Sequence, residues 1–218
     1  MFDDRRQAGE KLAELLGGYK TQDPVVYALP RGGLPVGAAI AERLNAPLDL
    51  VLVRKLGAPG QPELAIGAVA DGAAPACALN EGLIRELDVS KAYIDKVKAA
   101  GLAEIDRRRT LFFRDHAAIS PKGRCAILVD DGLATGATME AAVKSMRQAE
   151  ASKVIVAVPV APADVAARFE RIADAFICVE TPYPFYAVGA HYGFFPQLDD
   201  ADVLRILAEA RKRPPGQP

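Results

Sequence analysis

Two neighbouring carboxylates, Asp130 and Asp131, stand between an apolar run (Cys125 to Val129) and a stretch of small residues and threonines ending at Thr138. Paired acids of this kind can accept hydrogen bonds from vicinal sugar hydroxyls. A loop of Ala134, Thr135, Gly136, Ala137 and Thr138 that opens a helix can hold a phosphate through backbone N–H groups and the helix dipole. The helix is predicted by Met139, Ala142, Val143 and Met146, spaced i, i+3, i+4, i+7. The acids then fall at the carboxyl end of a strand, where ligands bind in open α/β sheets. Gly and Thr also serve simply to turn a chain, and an Asp pair can cap a helix. The run contains neither a Gly-Lys-Ser/Thr phosphate loop nor a Gly-x-Gly-x-x-Gly dinucleotide fingerprint.

Three other stretches could join this chemistry. Ala28 to Gly37 also follows a strand and opens a helix, with Arg31 as a fixed charge and Gly32 and Gly33 allowing close backbone approach. Val51 to Gly67 presents Arg54 and Lys55 ahead of a Gly/Pro-rich segment without apolar periodicity, the composition of a mobile lid behind an anion clamp. Taken singly, each is equally an ordinary connection. Thr181 to Asp200 gathers Tyr183, Phe185, Tyr186, Tyr192, Phe194 and Phe195 around His191. Tyr192, Phe194 and Phe195 are candidates to stack a planar acceptor, and the same stretch would serve as a hydrophobic lid or a dimer patch. His191 is expected as a hydrogen-bonded structural residue, and His116 as a solvated one.

The elements that must position these residues follow from periodicity. Asp3 to Leu16 predicts an amphipathic helix. Val25 to Leu29 and Leu48 to Val53 predict parallel strands, joined by a helix over Pro35 to Leu44 in a βαβ unit. Leu64 to Ala70 predicts a strand, with Ala73 to Leu79 pairing back on it. A helix is expected from Ser90 to about Arg114, with Arg108 or Arg109 near its inward face. Strands over Lys153 to Val160 and Ala175 to Val179 flank a helix opened by Pro162. A last helix runs from about Asp199 to Arg211, and the tail RPPGQP is expected to fray.

The 218 residues fit one α/β domain (1–218), with a core over about 20–180, a mainly parallel sheet flanked by helices, and a small hood or lid with 181–200 as its aromatic candidate. Half the residues are hydrophobic, and a net charge of −1 offers no global field for nucleic acid or anionic membrane. Three cysteines without a Cys-x-x-Cys pair argue against a disulfide framework or zinc site. The charged N-terminal stretch lacks a signal-peptide core, so a cytoplasmic location is expected.

The apolar run, two acids and Thr-Gly-Ala-Thr together resemble the phosphoribosyl pyrophosphate (PRPP) motif of the type I phosphoribosyltransferases. Over residues 25 to 160 the order of the three loops is similar too, and the Arg-Lys-x-Gly stretch looks closest to adenine-type members. The resemblance implies transfer of a 5-phosphoribosyl group from Mg-PRPP to a nitrogenous acceptor, with nucleobases among the candidates. It implies ribose hydroxyls on Asp130 and Asp131, a 5-phosphate on Ala134 to Thr138, and pyrophosphate near Arg31, Gly32, Gly33, Arg54 and Lys55. Lys55 is carried with the acids as a catalytic candidate. Mg²⁺ is expected through PRPP and water rather than direct protein ligands, and a homo-oligomer is expected from the family. The pyrophosphate loop of such enzymes is often strained or cis, which makes Pro30–Arg31 a candidate cis peptide. Ala134 stands where 6-oxopurine enzymes place an Asp, which argues against such substrates and leaves Glu63 and Asp71 as base candidates. The opposing reading is a PRPP-binding regulator without turnover.

Overall fold

The computed structural model describes residues 1–71, 76–114 and 117–212. His116, the tail from residue 213, and the first residues of the hairpin expected over Ala73 to Leu79 lie outside them.

Five strands form a parallel sheet in the order β2 (Leu48–Leu50), β1 (Pro24–Ala28), β6 (Cys125–Val129), β7 (Lys153–Val160), β8 (Ala175–Glu180). The chain builds outward from β1 on one side and from β6 on the other. The order therefore reverses between these two strands, and their carboxyl ends border a crevice. The register Ala28↔Val129 sets the last residues of β1 and β6 side by side, so the loops after them start at the same level.

Both faces are covered, which is why the strands read as unbroken apolar runs. Val26, Ala28, Ile127 and Ile155 point to one layer with Leu12 and Leu16 from the α1 end (Arg5–Leu15), Leu34 and Ile40 of α2 (Gly33–Leu44), and Val203 and Leu207 of α7 (Asp200–Arg211). Val25, Tyr27, Leu128 and Val156 point the other way, onto Met139 and Val143 of α5 (Ala137–Gln148) and Phe169 of α6 (Ala163–Ile172).

The Arg-Lys region departs from expectation. The apolar run Leu48 to Val53 is not one strand. It leaves the parallel sheet after Leu50, and Val53 starts β3 (Val53–Ala58) of a second, antiparallel sheet with β4 (Gln61–Ala70) and β5 (Ala76–Leu79). The Gly/Pro-rich segment is thus an ordered hairpin with register shifts around Gly57 rather than an irregular loop. Its turn needs Gly60, whose φ is +71°. A short helix α3 (Glu81–Glu86), capped by the Asn80 side chain, was not anticipated; α4 (Lys91–Phe112), capped by Ser90, was. Ile105 and Phe112 of α4 are buried with Leu56 and Val69, joining this sheet to the main core. Arg108 pairs with Glu104, while Arg109 reaches Asp71 at 3.6 Å.

Candidate active site

Three segments meet at the carboxyl ends of β1 and β6. The first is the loop after β1, whose Pro30–Arg31 peptide is cis. The close approach of this loop to β6 requires glycine twice. A Cβ on Gly32 would lie 2.0 Å from Oδ2 of Asp131, and one on Gly33 would lie 2.6 Å from the Val129 carbonyl oxygen. Arg31 is more than a third exposed and stands 3.8 Å from Asp200, the first residue of α7.

The second segment carries the acids. Asp130 Oδ1 accepts from the Asp131 N–H at 2.9 Å, and Asp131 Oδ2 accepts from Arg5 Nε at 2.9 Å. Burial and the Asp131 charge push the Asp130 carboxyl well above the usual carboxylate range, with Lys55 and Arg5 pulling against them. Burial also raises Asp131, opposed by the hydrogen bond and charge of Arg5. The guanidinium favours the ionised form of Asp131, so of the two carboxyls Asp130 is the one pushed further up. Past the acids, Gly136 takes φ +75° and caps α5, while Ala134 and Thr135 are exposed. Arg168 of α6 donates from Nη2 to the Thr135 carbonyl, and Phe169 packs where a Gly136 Cβ would be.

The third segment was only half foreseen. Residues 185–198 wrap over the acids and are stitched to the start of the chain. Phe2 N donates to His191 O (2.8 Å), Gly193 N to Phe2 O (2.7 Å), and Phe194 N to Asp3 O (2.8 Å). Tyr192 is 6% exposed, its ring between Phe2 and Phe195, and its hydroxyl donates to the Asp131 carbonyl at 2.6 Å. Burial and the Asp131 charge raise that phenol, keeping it a donor. Tyr192 is therefore a buried support of the acid loop, not a stacking surface. The Arg5 guanidinium covers one side of Phe195, 3.7 Å from the ring centroid, and Gly189 also lies against this ring. Phe194 is 66% exposed and takes no part in the cleft. His191 stacks on Phe185, but its Nε2 is buried without a partner among the described residues, so the expected hydrogen bond is not formed there.

A cleft of about 500 Å³ opens here, lined by Arg5, Arg31, Gly32, Asp131, Phe195, Pro196, Gln197 and Leu198. Of the two basic candidates on β3, Lys55 is exposed and within electrostatic reach of Asp130. Arg54 is not brought to the site. Side chains alternate along a strand, and its stem lies against Gly101 of α4. Nor is Asp71 a free base: its Oδ1 accepts from Leu52 N at 3.0 Å and it faces Arg109, while Glu63 is exposed on the hairpin. The residue that sequence reasoning missed is Arg5. One signal for it existed, since Arg5 lies i−3 and i−7 from Ala8 and Leu12, at the head of the buried stripe of α1.

Acids, a loop opening a helix and basic side chains thus gather around the switch point of a parallel sheet, the place where ligands bind in open α/β folds. Comparison with known families matches residues 63–192 to the phosphoribosyl transferase domain. Two Mycobacterium tuberculosis proteins, from different strains and provisionally named phosphoribosyl transferases, are each 43% identical over 212 residues, 97% of this chain. The chain spans about half the length of these curated relatives, 47%. The crystal structure of TT1426 from Thermus thermophilus is 41% identical and superposes with a TM-score of 0.82, covering 96% of this chain and 98% of that one. The chain belongs to the phosphoribosyl transferase family.

Proposed function

We propose that this chain acts as one phosphoribosyltransferase domain, transferring the 5-phosphoribosyl group of Mg-PRPP to a small nitrogenous acceptor with release of pyrophosphate. The observation that carries the reading is the coincidence of the acid pair, the Gly136 loop and the Arg31–Gly33 loop at the β1/β6 switch point. The adjacent carboxylates are hard oxygen donors that suit Mg²⁺ carried by phosphate and water. When bound, the ion would neutralise pyrophosphate charge.

The protein's own residues do the rest. N–H groups at the start of α5 hold the 5-phosphate, and Thr135 and Thr138 add hydroxyls. Both acids accept hydrogen bonds from the ribose hydroxyls. Arg31, the Gly32–Gly33 backbone and Lys55 receive the pyrophosphate, so that the bond from the anomeric carbon breaks with its electron pair leaving on phosphate oxygen. The β3–β4 hairpin beside the acids is positioned to limit water. With Ala134 before Thr135 and Asp71 engaged by Leu52 and Arg109, Glu63 on the β3–β4 hairpin is the remaining base candidate of the two. Among the described residues no helix is long and apolar enough to cross a membrane, and the reading places the activity in the cytoplasm, in a homo-oligomer.

Calorimetric titration with PRPP, with and without Mg²⁺, tests this. Saturable Mg-dependent binding is expected, and Asp130→Asn and Asp131→Asn should each weaken it by about 1.5–3 kcal/mol. Absence of binding, or unchanged affinity in both variants, would overturn the assignment.

A further inference from the structure

We propose that Arg5, which no motif contains, completes an anion subsite with Arg31 across the cleft, and that this subsite takes a pyrophosphate group. The inference deepens the phosphoribosyl reading and rests on it for the identity of the anion.

The first observation is the state of Arg5. It is a charged side chain only 8% exposed, and that exposure is to the cleft it lines. A guanidinium has five N–H donors in a rigid fork. Nε is engaged by Asp131 and Nη1 by the Pro196 carbonyl at 2.8 Å; Nη2 has no partner among the described residues, yet is not among the buried unpaired atoms. Phe195 against the guanidinium plane and Asp131 at one edge fix the group, so its free edge is pre-oriented rather than flexible. A purely structural arginine would be expected to have its fork filled.

The second observation is what the free edge meets. Across the same cleft lie Arg31 and Gly32; the first N–H groups of α2 are already engaged, Gly33 N donating to the Leu29 carbonyl at 3.0 Å and Leu34 N to the Arg31 carbonyl at 3.3 Å, so the charge on this side comes from Arg31. Arg31 is held only loosely, 3.8 Å from Asp200. The groups facing the space are thus two guanidinium ions and one carboxylate already paired with Arg5. A multiply charged phosphate anion suits this set through bidentate hydrogen bonds.

Binding of inorganic pyrophosphate with Mg²⁺, PRPP, and ribose 5-phosphate to the wild type, Arg5→Gln and Arg5→Lys tests the proposal. Circular dichroism and melting curves would accompany each variant. The expected result is pyrophosphate binding weakened at least about tenfold in Arg5→Gln and partly restored in Arg5→Lys, which keeps the charge but not the fork. Ribose 5-phosphate should change less. If Arg5→Gln does not fold, Arg5→Lys decides, with a loss of about threefold or more expected for pyrophosphate. A loss confined to ribose 5-phosphate would show that Arg5 merely orients Asp131, and would overturn the proposal, as would unchanged pyrophosphate affinity or none in the wild type. Arg5-dependent pyrophosphate binding without binding of PRPP or ribose 5-phosphate would uphold the subsite and sink the phosphoribosyl reading. PRPP binding indifferent to Arg5 would do the reverse.

Discussion

Gly32→Ala is a small change with a large expected effect on ligand and a modest one on stability. The backbone there is ordinary, with φ −63° and ψ −37°, so alanine is conformationally welcome. The difficulty is space. The new Cβ would stand 2.0 Å from Oδ2 and 2.6 Å from Cγ of Asp131, where ordinary contact begins near 3.4 Å. The carboxylate must retreat by about 1.4 Å, which carries it off Arg5 Nε, now 2.9 Å away. Overpacking of this kind costs about 1–3 kcal/mol, offset by about 0.4–1 kcal/mol from the reduced freedom of the unfolded chain. A net destabilisation of about 1–2 kcal/mol is expected. Binding should suffer more. Losing one charge-assisted hydrogen bond to a ribose hydroxyl removes about 1.5–3 kcal/mol, or about 10- to 150-fold in affinity. Gly17→Ala is the control, because nothing lies within 4 Å of a Cβ there. Calorimetry with ribose 5-phosphate and PRPP, beside thermal melts, reads both effects. If Gly32→Ala binds within twofold of wild type while Gly17→Ala does the same, the contact between the two loops is not what orients Asp131.

The same contrast of space and backbone separates Gly136 from Gly60. Both have positive φ (+75° and +71°), but only at Gly136 would a Cβ meet Phe169 and Arg168, at 2.5 and 2.6 Å. Gly60→Ala should cost about 1–2 kcal/mol of stability and leave ribose 5-phosphate affinity alone, whereas Gly136→Ala should cost more and abolish it; equal behaviour in melts and titrations would refute this. Asp71 offers a pH test. Burial pushes its carboxyl up to about 6, against pull from the Leu52 N–H and Arg109. A carboxyl raised on folding contributes stability below about pH 4 that is lost as pH climbs through 6, here about 3 kcal/mol. Asp71→Asn should remove that loss, so the stability difference between variant and wild type should shift by this amount from pH 4 to 7 in urea titrations; parallel curves would contradict it.

The parallel sheet was legible because both its faces are covered. Cys125 to Val129 and Lys153 to Val160 are wholly apolar apart from their first positions, and their ends could be read almost to the residue. Leu48 to Val53 shows where that signal stops. Val51 and Leu52 are as buried between the two sheets as Leu50 is within one, so hydropathy carried no mark of the break. The β3–β4 hairpin was hidden by Gly57 and Pro62, whose close approach across the strand pair looks locally like loop composition. At the site, the loops after β1 and β6 were readable because their chemistry is local. Arg5 and Asp131 are 126 residues apart, and the roles of Tyr192 and Phe195 depend on Phe2 and Arg5, partners that no short-range pattern names.

The stitching of Phe2 and Asp3 to residues 191–194 also sets a schedule. On the ribosome Phe2 emerges well before the main-chain groups that receive it and the Tyr192 ring that covers it, about 10–40 s earlier at usual elongation rates. Through that interval an apolar residue that ends with no exposure has no native cover. The sheet can form before then, but the cleft cannot, because its walls come from both ends of the sequence. A nascent chain should therefore be folded in its middle while still unable to hold ligand.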